Sequence, residues 1–327
     1  MNKIIEQDLQ SIVSVSLPWE DFAGASVLVT GGAGFLPAYM VETLLYLNRE
    51  VLSKPCVITA FVRNWKRAEA RFAGPSRGDV CIVEGDVAIQ GWIPPFDYII
   101  HAASQASPSV YLTDPVGTLL PNTVGTNLLL KASRNCRGFL FFSSGSAALP
   151  PDPLDPRACY SESKRMGETM CAAYHRQFNL PAKIVRISHT YGPGMRLDDG
   201  RVFADFTRDI LRGGPIVLRS DGLAYRPFLY LAEATIAFFT VLLKGEPAKA
   251  YNVANPAAYM SIRELADRLA ARFRLATDPP SLSTYVSAPP AIPPPDISDL
   301  NALGWNPHVT VEEGFSRTVE SYKEADQ

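Results

Sequence analysis

The chain has 327 residues, 47% hydrophobic and 20% charged, with 31 lysines and arginines against 33 acids and a formal net charge of −2. That length buries a large core and fits one big α/β unit or two unequal lobes. Near-balanced charge without a long basic run excludes a broad electrostatic grip on nucleic acid or an anionic membrane, and favours a small polar ligand.

The N-terminal "MNKIIEQDLQSIVSVSLPW" lacks a continuous apolar run followed by a small-residue cleavage site, and so reads as a poor secretory leader. The most apolar stretch, "ATIAFFTVLL" at 234–243, is about half the length needed to span a bilayer and predicts a buried helix. A cytoplasmic protein without membrane partners is expected. Cys56, Cys81, Cys136, Cys159 and Cys171 are odd in number and scattered, with no CxxC pair and no histidine at ligand spacing. Reduced, mostly buried thiols and no metal follow.

In chain order the predicted strands are "SVLVT" (26–30), "VITAFV" (57–62), "VCIVEG" (80–85), "DYIIHAA" (97–103), "GFLFFSS" (138–144) and "AKIVRIS" (182–188). Helix-length segments at 34–48, 115–135 and 159–178 separate several of them. Strands apolar almost throughout are expected where both faces of a parallel sheet are covered, so the fold class is α/β with a doubly wound, parallel Rossmann-type sheet. After Tyr191 glycine and proline become frequent, and residues 278–296 are proline-rich, predicting an extended surface loop. We therefore expect the sheet domain over 1–190, with 225–250 returning to it, and a smaller, discontinuous C-terminal substrate-binding lobe mainly within 191–327; helices at 231–243 and 312–324 could rejoin the sheet.

"TGGAGFLP" joins the first strand to the first long helix, placing Gly31 and Gly34 where backbone amides and a positive helix end can meet a pyrophosphate, with Phe35 and Leu36 following. Pro37 falls in the first helical turn, where a missing amide costs little, but it occupies the place of a third glycine that would bring helix and strand close. A dinucleotide site usually has a carboxylate at the end of the second strand. Here that strand ends "AFVRNWKR", so Arg63, with Arg67 nearby, suits a 2′-phosphate and favours NADP over NAD. Asp86, in "EGDV", is placed to accept from the adenine amino group.

Tyr160 and Lys164 lie four residues apart, on one face of a helix. An ammonium beside a phenol favours the phenolate, and the pair is expected to act as a proton shuttle. Ser143 and Ser144 close the strand before it, at the edge that faces the ligand crevice.

Glycine turn, strand-end serine and YxxxK, together with "GDV", "IIHAAS", "NTVGTNLLL", "VRISHTYGPG", "DGLAYRPFLYL" and "YNVANP", resemble the extended short-chain dehydrogenase/reductases of the nucleotide-sugar epimerase, dehydratase and decarboxylase group over nearly the whole chain. "DPRACYSESKRMGETMCAAY" and "DDGRVFADF" are most similar to the UDP-glucuronate decarboxylases. The resemblance implies an NAD(P)-dependent enzyme acting on a nucleotide-linked sugar, with Ser144, Tyr160 and Lys164 catalytic. It adds Val87, Ala102 and Ala103 to the cofactor wall, His189 and Arg226 to the substrate site (Arg226 on its pyrophosphate), and a homodimer as the assembly.

Three departures stand against that pattern. Where decarboxylases and dehydratases carry a glutamate two residues beyond the catalytic serine or threonine, this chain has Ser146. Only 16 positions separate Ser144 from Tyr160, which implies a shorter active-site loop. His189 stands in place of an asparagine. Epimerisation, which asks for no extra carboxylate, is therefore expected ahead of decarboxylation and keto-sugar reduction; the rival from another class is a non-catalytic binding relative.

Overall fold

The computed structural model describes residues 2–72, 79–89, 93–148, 152–278 and 293–325. The chain opens with helix α1 (Lys3–Ser14), capped by Asn2, whose side chain accepts from the Ile4 and Ile5 amides. The alternating half follows as β1 (Ser26–Thr30), α2 (Phe35–Glu50), β2 (Val57–Val62), α3 (Trp65–Arg71), β3 (Val80–Glu84) and β4 (Tyr98–His101). Next come α4 (Pro108–Thr113), α5 (Pro115–Leu120), α6 (Thr126–Ala132), β5 (Gly138–Ser144), α7 (Ala158–Phe178) and β6 (Ala182–Ile187).

The remainder comprises β7 (His189–Tyr191), α8 (Val202–Arg212), β8 (Ile216–Val217), β9 (Tyr225–Tyr230), α9 (Leu231–Lys244), β10 (Ala250–Val253), β11 (Tyr259–Ser261), α10 (Ile262–Phe273), β12 (Thr277–Asp278), α11 (Ser298–Ala302) and α12 (Val311–Ala325). The proline-rich segment expected to form a surface loop lies, from 279 to 292, outside the described residues.

Seven strands make one sheet in the order β10-β6-β5-β4-β1-β2-β3, each neighbouring pair parallel. The strand order reverses between β1 and β4, which opens a crevice at their carboxyl ends. Side chains alternate between two cores. Val27, Val29, Leu140 and Phe142 pack with residues of α1, α2 and α9, whereas Leu28, Phe139 and Phe141 pack with Leu129 and Leu130 of α6 and Cys171 of α7. β10 and α9 thus join the main sheet from late in the chain, while α12 packs against α1, α8 and α10. Two small sheets, β11-β9-β7 and β12-β8, complete the C-terminal part.

Two elements depart from expectation. The strand predicted over 97–103 stops at His101, because the Ala102 and Ala103 amides turn to Thr30 Oγ1 at 3.2 and 3.1 Å. Since Thr30 Oγ1 receives those amides, its own proton goes to His101 Nδ1 (2.8 Å), and His101 Nε2 donates to the Pro121 carbonyl (3.2 Å). Burial holds this imidazole neutral, its pKa lowered to about 3. The helix predicted over 115–135 is broken by a π turn at Pro121–Gly125, where proline has no amide to continue the ladder, and it ends at Ala132.

The N-terminal segment is an integral part of the core. Asp8 of α1, almost fully buried, accepts from Tyr39 Oη of α2 (3.0 Å), Tyr230 Oη at the end of β9 (2.7 Å) and Arg317 Nη2 of α12 (2.6 Å). One carboxylate therefore ties four elements far apart in the chain.

Candidate active site

β1 delivers the chain into the glycine turn at the centre of the crevice. Gly31 takes φ +68°, a left-handed conformation, and a Cβ there would stand 3.0 Å from Ala103 Cα and 3.1 Å from Ala103 N. Gly32, which the sequence reading left aside, is also constrained, since a Cβ would lie 2.9 Å from Ala60 Cβ on β2. Gly34 is the N-cap of α2, and among the described residues no side chain caps this end. The amides of Phe35 and Leu36 are therefore left without intrahelical acceptors, Pro37 has none to lose, and Ala38 is the first to bond back, to Gly34 O at 3.0 Å. Pro37 is itself buried, so the tight packing expected of a third glycine is replaced by ring contact.

Gly31, Gly34, Phe35, Leu36, Arg63, Asp86, Val87, Ala102, Ala103, Ser144, Tyr160, Lys164 and His189 line a single cleft of about 640 Å³. Arg226 stands off this wall. It sits on β9 with its guanidinium on the carbonyl of its neighbour Tyr225 (2.7 Å), and reaches the cleft through its charge on His189. Burial lowers the His189 pKa to about 3, with Arg226 and Arg201 adding to the effect, so this imidazole is neutral. Asp86 turns Oδ1 to the Ala88 amide at 2.8 Å. Arg63 and Arg67 line the cleft near the end of β2.

Beside Tyr160 the two serines closing β5 have different surroundings. Ser143 is buried and donates to Glu168 Oε1 (2.5 Å), which Arg186 grips through Nε and Nη2 at 2.9 and 2.6 Å. Ser144 is left to the cleft that Tyr160 also lines, where it acts to lower the Tyr160 pKa. Lys164 is buried, donates to the Phe142 carbonyl at 2.6 Å and sits 5.9 Å from the centre of the Tyr160 ring.

The expected effect of the lysine on the tyrosine needs correction. Burial raises the Tyr160 pKa, and relief comes from Ser144 and the charge of Arg201. Lys164 itself is pulled down to about 7 by burial, against the opposing charge of Glu168. Tyr111 of α4 was not anticipated; its ring stacks on Tyr160 at 5.6 Å and 14°, and no spacing relative to YxxxK announces it.

Two further observations speak to a ligand. The hydroxyls of Ser104 and Ser188 are buried in the cleft wall and find no partner among the described residues. Unpaired buried polar groups are costly, and these two, with the uncapped end of α2, fit a ligand rich in hydrogen-bonding groups and carrying phosphate.

A model of the NAD dependent epimerase/dehydratase family matches residues 27–254. The chain belongs to that family. It is 31% identical over 312 residues to UDP-glucuronic acid decarboxylase 1 of Xenopus tropicalis, covering 91% of this chain and 72% of that one. It is also 31% identical over 315 residues to UDP-glucuronic acid decarboxylase 6 of Arabidopsis thaliana, with 91% and 88% covered. Among solved structures, UDP-N-acetylglucosamine 4-epimerase from Methanobrevibacter ruminantium M1, in complex with UDP-N-acetylmuramic acid, superposes with a TM-score of 0.77 at 21% identity, over 93% of this chain and 99% of that one. Family membership makes the chain an NAD-dependent enzyme, and the glycine cradle fits that cofactor.

Replacing Gly31 by alanine tests the cradle. A left-handed backbone costs an L-residue roughly 1–2 kcal/mol, and the obstructing Ala103 atoms are backbone, which cannot swing away. We expect NAD affinity, measured by calorimetry, to fall at least about tenfold; unchanged affinity would show that the turn does not hold the diphosphate.

Proposed function

We propose that this enzyme modifies a nucleotide-linked sugar by transient oxidation, most simply as an epimerase. Bound NAD supplies the hydride acceptor. The uncapped α2 end, with the Phe35 and Leu36 amides, would hold its diphosphate, and Asp86 its adenine. Tyr160, as its phenolate, takes the proton of the sugar hydroxyl to become the neutral phenol, and returns it when the carbonyl is reduced again. Ser144 shares the hydrogen bond to that oxygen, and Lys164 supplies positive charge when protonated. His189, neutral, offers a hydrogen bond without charge, and Arg226 with Arg201 provides cations for the substrate diphosphate.

One observation carries the choice of reaction. Among the described residues the carboxylates lining the cleft are Asp86, engaged with its own loop, and Asp199, paired with Arg201. Neither stands where Ser146 replaces the acid of the decarboxylases, so proton transfer by Tyr160 alone fits best. The second reading, decarboxylation, is favoured by the names of the relatives that match across nine-tenths of the chain. Incubation with UDP-glucuronate and with UDP-glucose, followed by mass spectrometry and NMR, separates them. An epimer of unchanged mass supports the proposal and loss of carbon dioxide supports decarboxylation, whereas net consumption of added reduced cofactor with a UDP-4-keto sugar would support a reductase. Binding without turnover would mark a non-catalytic relative.

Arg63 supports acceptance of the 2′-phosphate of NADP alongside NAD, which comparison of the two dissociation constants decides. A cytoplasmic setting suits the five unpaired cysteines. The assembly we propose is a homodimer. Val116, Leu120 and Val124, spaced four apart along α5 and the π turn, are exposed, as is Met166 on the neighbouring α7. Replacing Leu120 and Val124 together by glutamate should convert a dimer to a monomer by sedimentation; a monomeric parent protein would overturn the proposal.

A further inference from the structure

Ser146, the residue at the vacated acid position, is tied into the reactive centre. Its hydroxyl lies 3.0 Å from Ser144 Oγ and its amide donates to the same atom at 3.3 Å. Ser144 Oγ has one proton and two lone pairs. The Ser146 amide can only donate, so it takes one lone pair. When the Ser146 hydroxyl also donates it takes the second, and the Ser144 proton is then left for the cleft that Tyr160 also lines. We propose that Ser146 is a positioning residue that orients the Ser144 hydroxyl as a donor to the Tyr160 phenol and so favours the phenolate.

The inference rests on the reading of Tyr160 as the proton carrier, but the arrangement of hydroxyls is a property of the protein without substrate. Hydrogen bonds in a chain strengthen one another, so a donor behind Ser144 makes Ser144 a better donor in turn. Other groups face the same phenol: Lys164 from α7, Tyr111 from α4, and Arg201 just ahead of α8. These do not change when Ser146 is altered, and Ser146 is itself exposed, so its truncation removes a hydroxyl without opening the core.

The test reads Tyr160 directly, by NMR titration of tyrosine labelled with carbon-13 at Cζ in the NAD-bound protein, with Tyr160→Phe assigning the signal. Ser146→Ala should raise the Tyr160 pKa by about half a unit, the scale of one neutral hydrogen bond acting at second hand. Ser146→Thr, which keeps a hydroxyl, should restore the parent value. In a Ser144→Ala background, Ser146→Ala should have no further effect, because the path to the phenol is already cut. An unshifted titration in Ser146→Ala overturns the inference, and so does an equal shift with and without Ser144. Each result stands whether or not the sugar reaction proves to be epimerisation.

Discussion

Tyr160→Phe is expected to lower kcat by about a thousandfold, within the range that a positioned general acid or base contributes. The substitution removes one oxygen. The ring keeps its stack on Tyr111, and Lys164 keeps its bond to the Phe142 carbonyl, so the wall of the cleft remains in place. NAD affinity should therefore change by less than about twofold, since no charge in the cofactor cradle is altered. Measuring turnover and cofactor binding on the same preparation separates chemistry from folding. Activity within tenfold of the parent protein would mean that some other group carries the proton.

The largest expected effect on stability lies at the opposite side of the sheet. Asp8→Ala leaves the Arg317 guanidinium and the hydroxyls of Tyr39 and Tyr230 without their shared acceptor. Removing one partner of a buried ion pair costs about 3–5 kcal/mol, and because the Arg317 side chain is 25% exposed we expect the lower end of that range. For a chain of this size the corresponding fall in Tm is roughly 4–5 °C. Asp8→Asn keeps the shape and one acceptor oxygen and should fall between the two. A Tm shift below 2 °C for the alanine variant, by differential scanning calorimetry, would show that water or a neighbouring group replaces the carboxylate.

Much of the site was legible because its parts are local. A strand, a glycine turn and a helix start are consecutive, so "SVLVTGGAGF" carries the cradle within one stretch. Tyr160 and Lys164 share a helix face by spacing alone. The strand ends were harder. Ser143 and Ser144 look alike in sequence, and only the Glu168–Arg186 pair, drawn from α7 and β6, claims the first and leaves the second for the cleft. Tyr111 reaches Tyr160 from a short helix with no motif, and Arg226 was placed by resemblance in a site whose wall it does not line.

The N-terminal helix shows the same limit. Its sequence was silent on its role in the core, because the partners of Asp8 lie 31, 222 and 309 positions away.

From sequence alone came the properties that depend on short-range pattern: the period of the strands, the turn that needs glycine, and a phenol and an amine one helical turn apart. Tertiary structure alone decided the protonation states, since burial, not the expected lysine, dominates the phenol and brings Lys164 to about 7. Desolvation depends on everything packed around a group, and that surrounding is assembled from strands and helices that the chain order keeps apart.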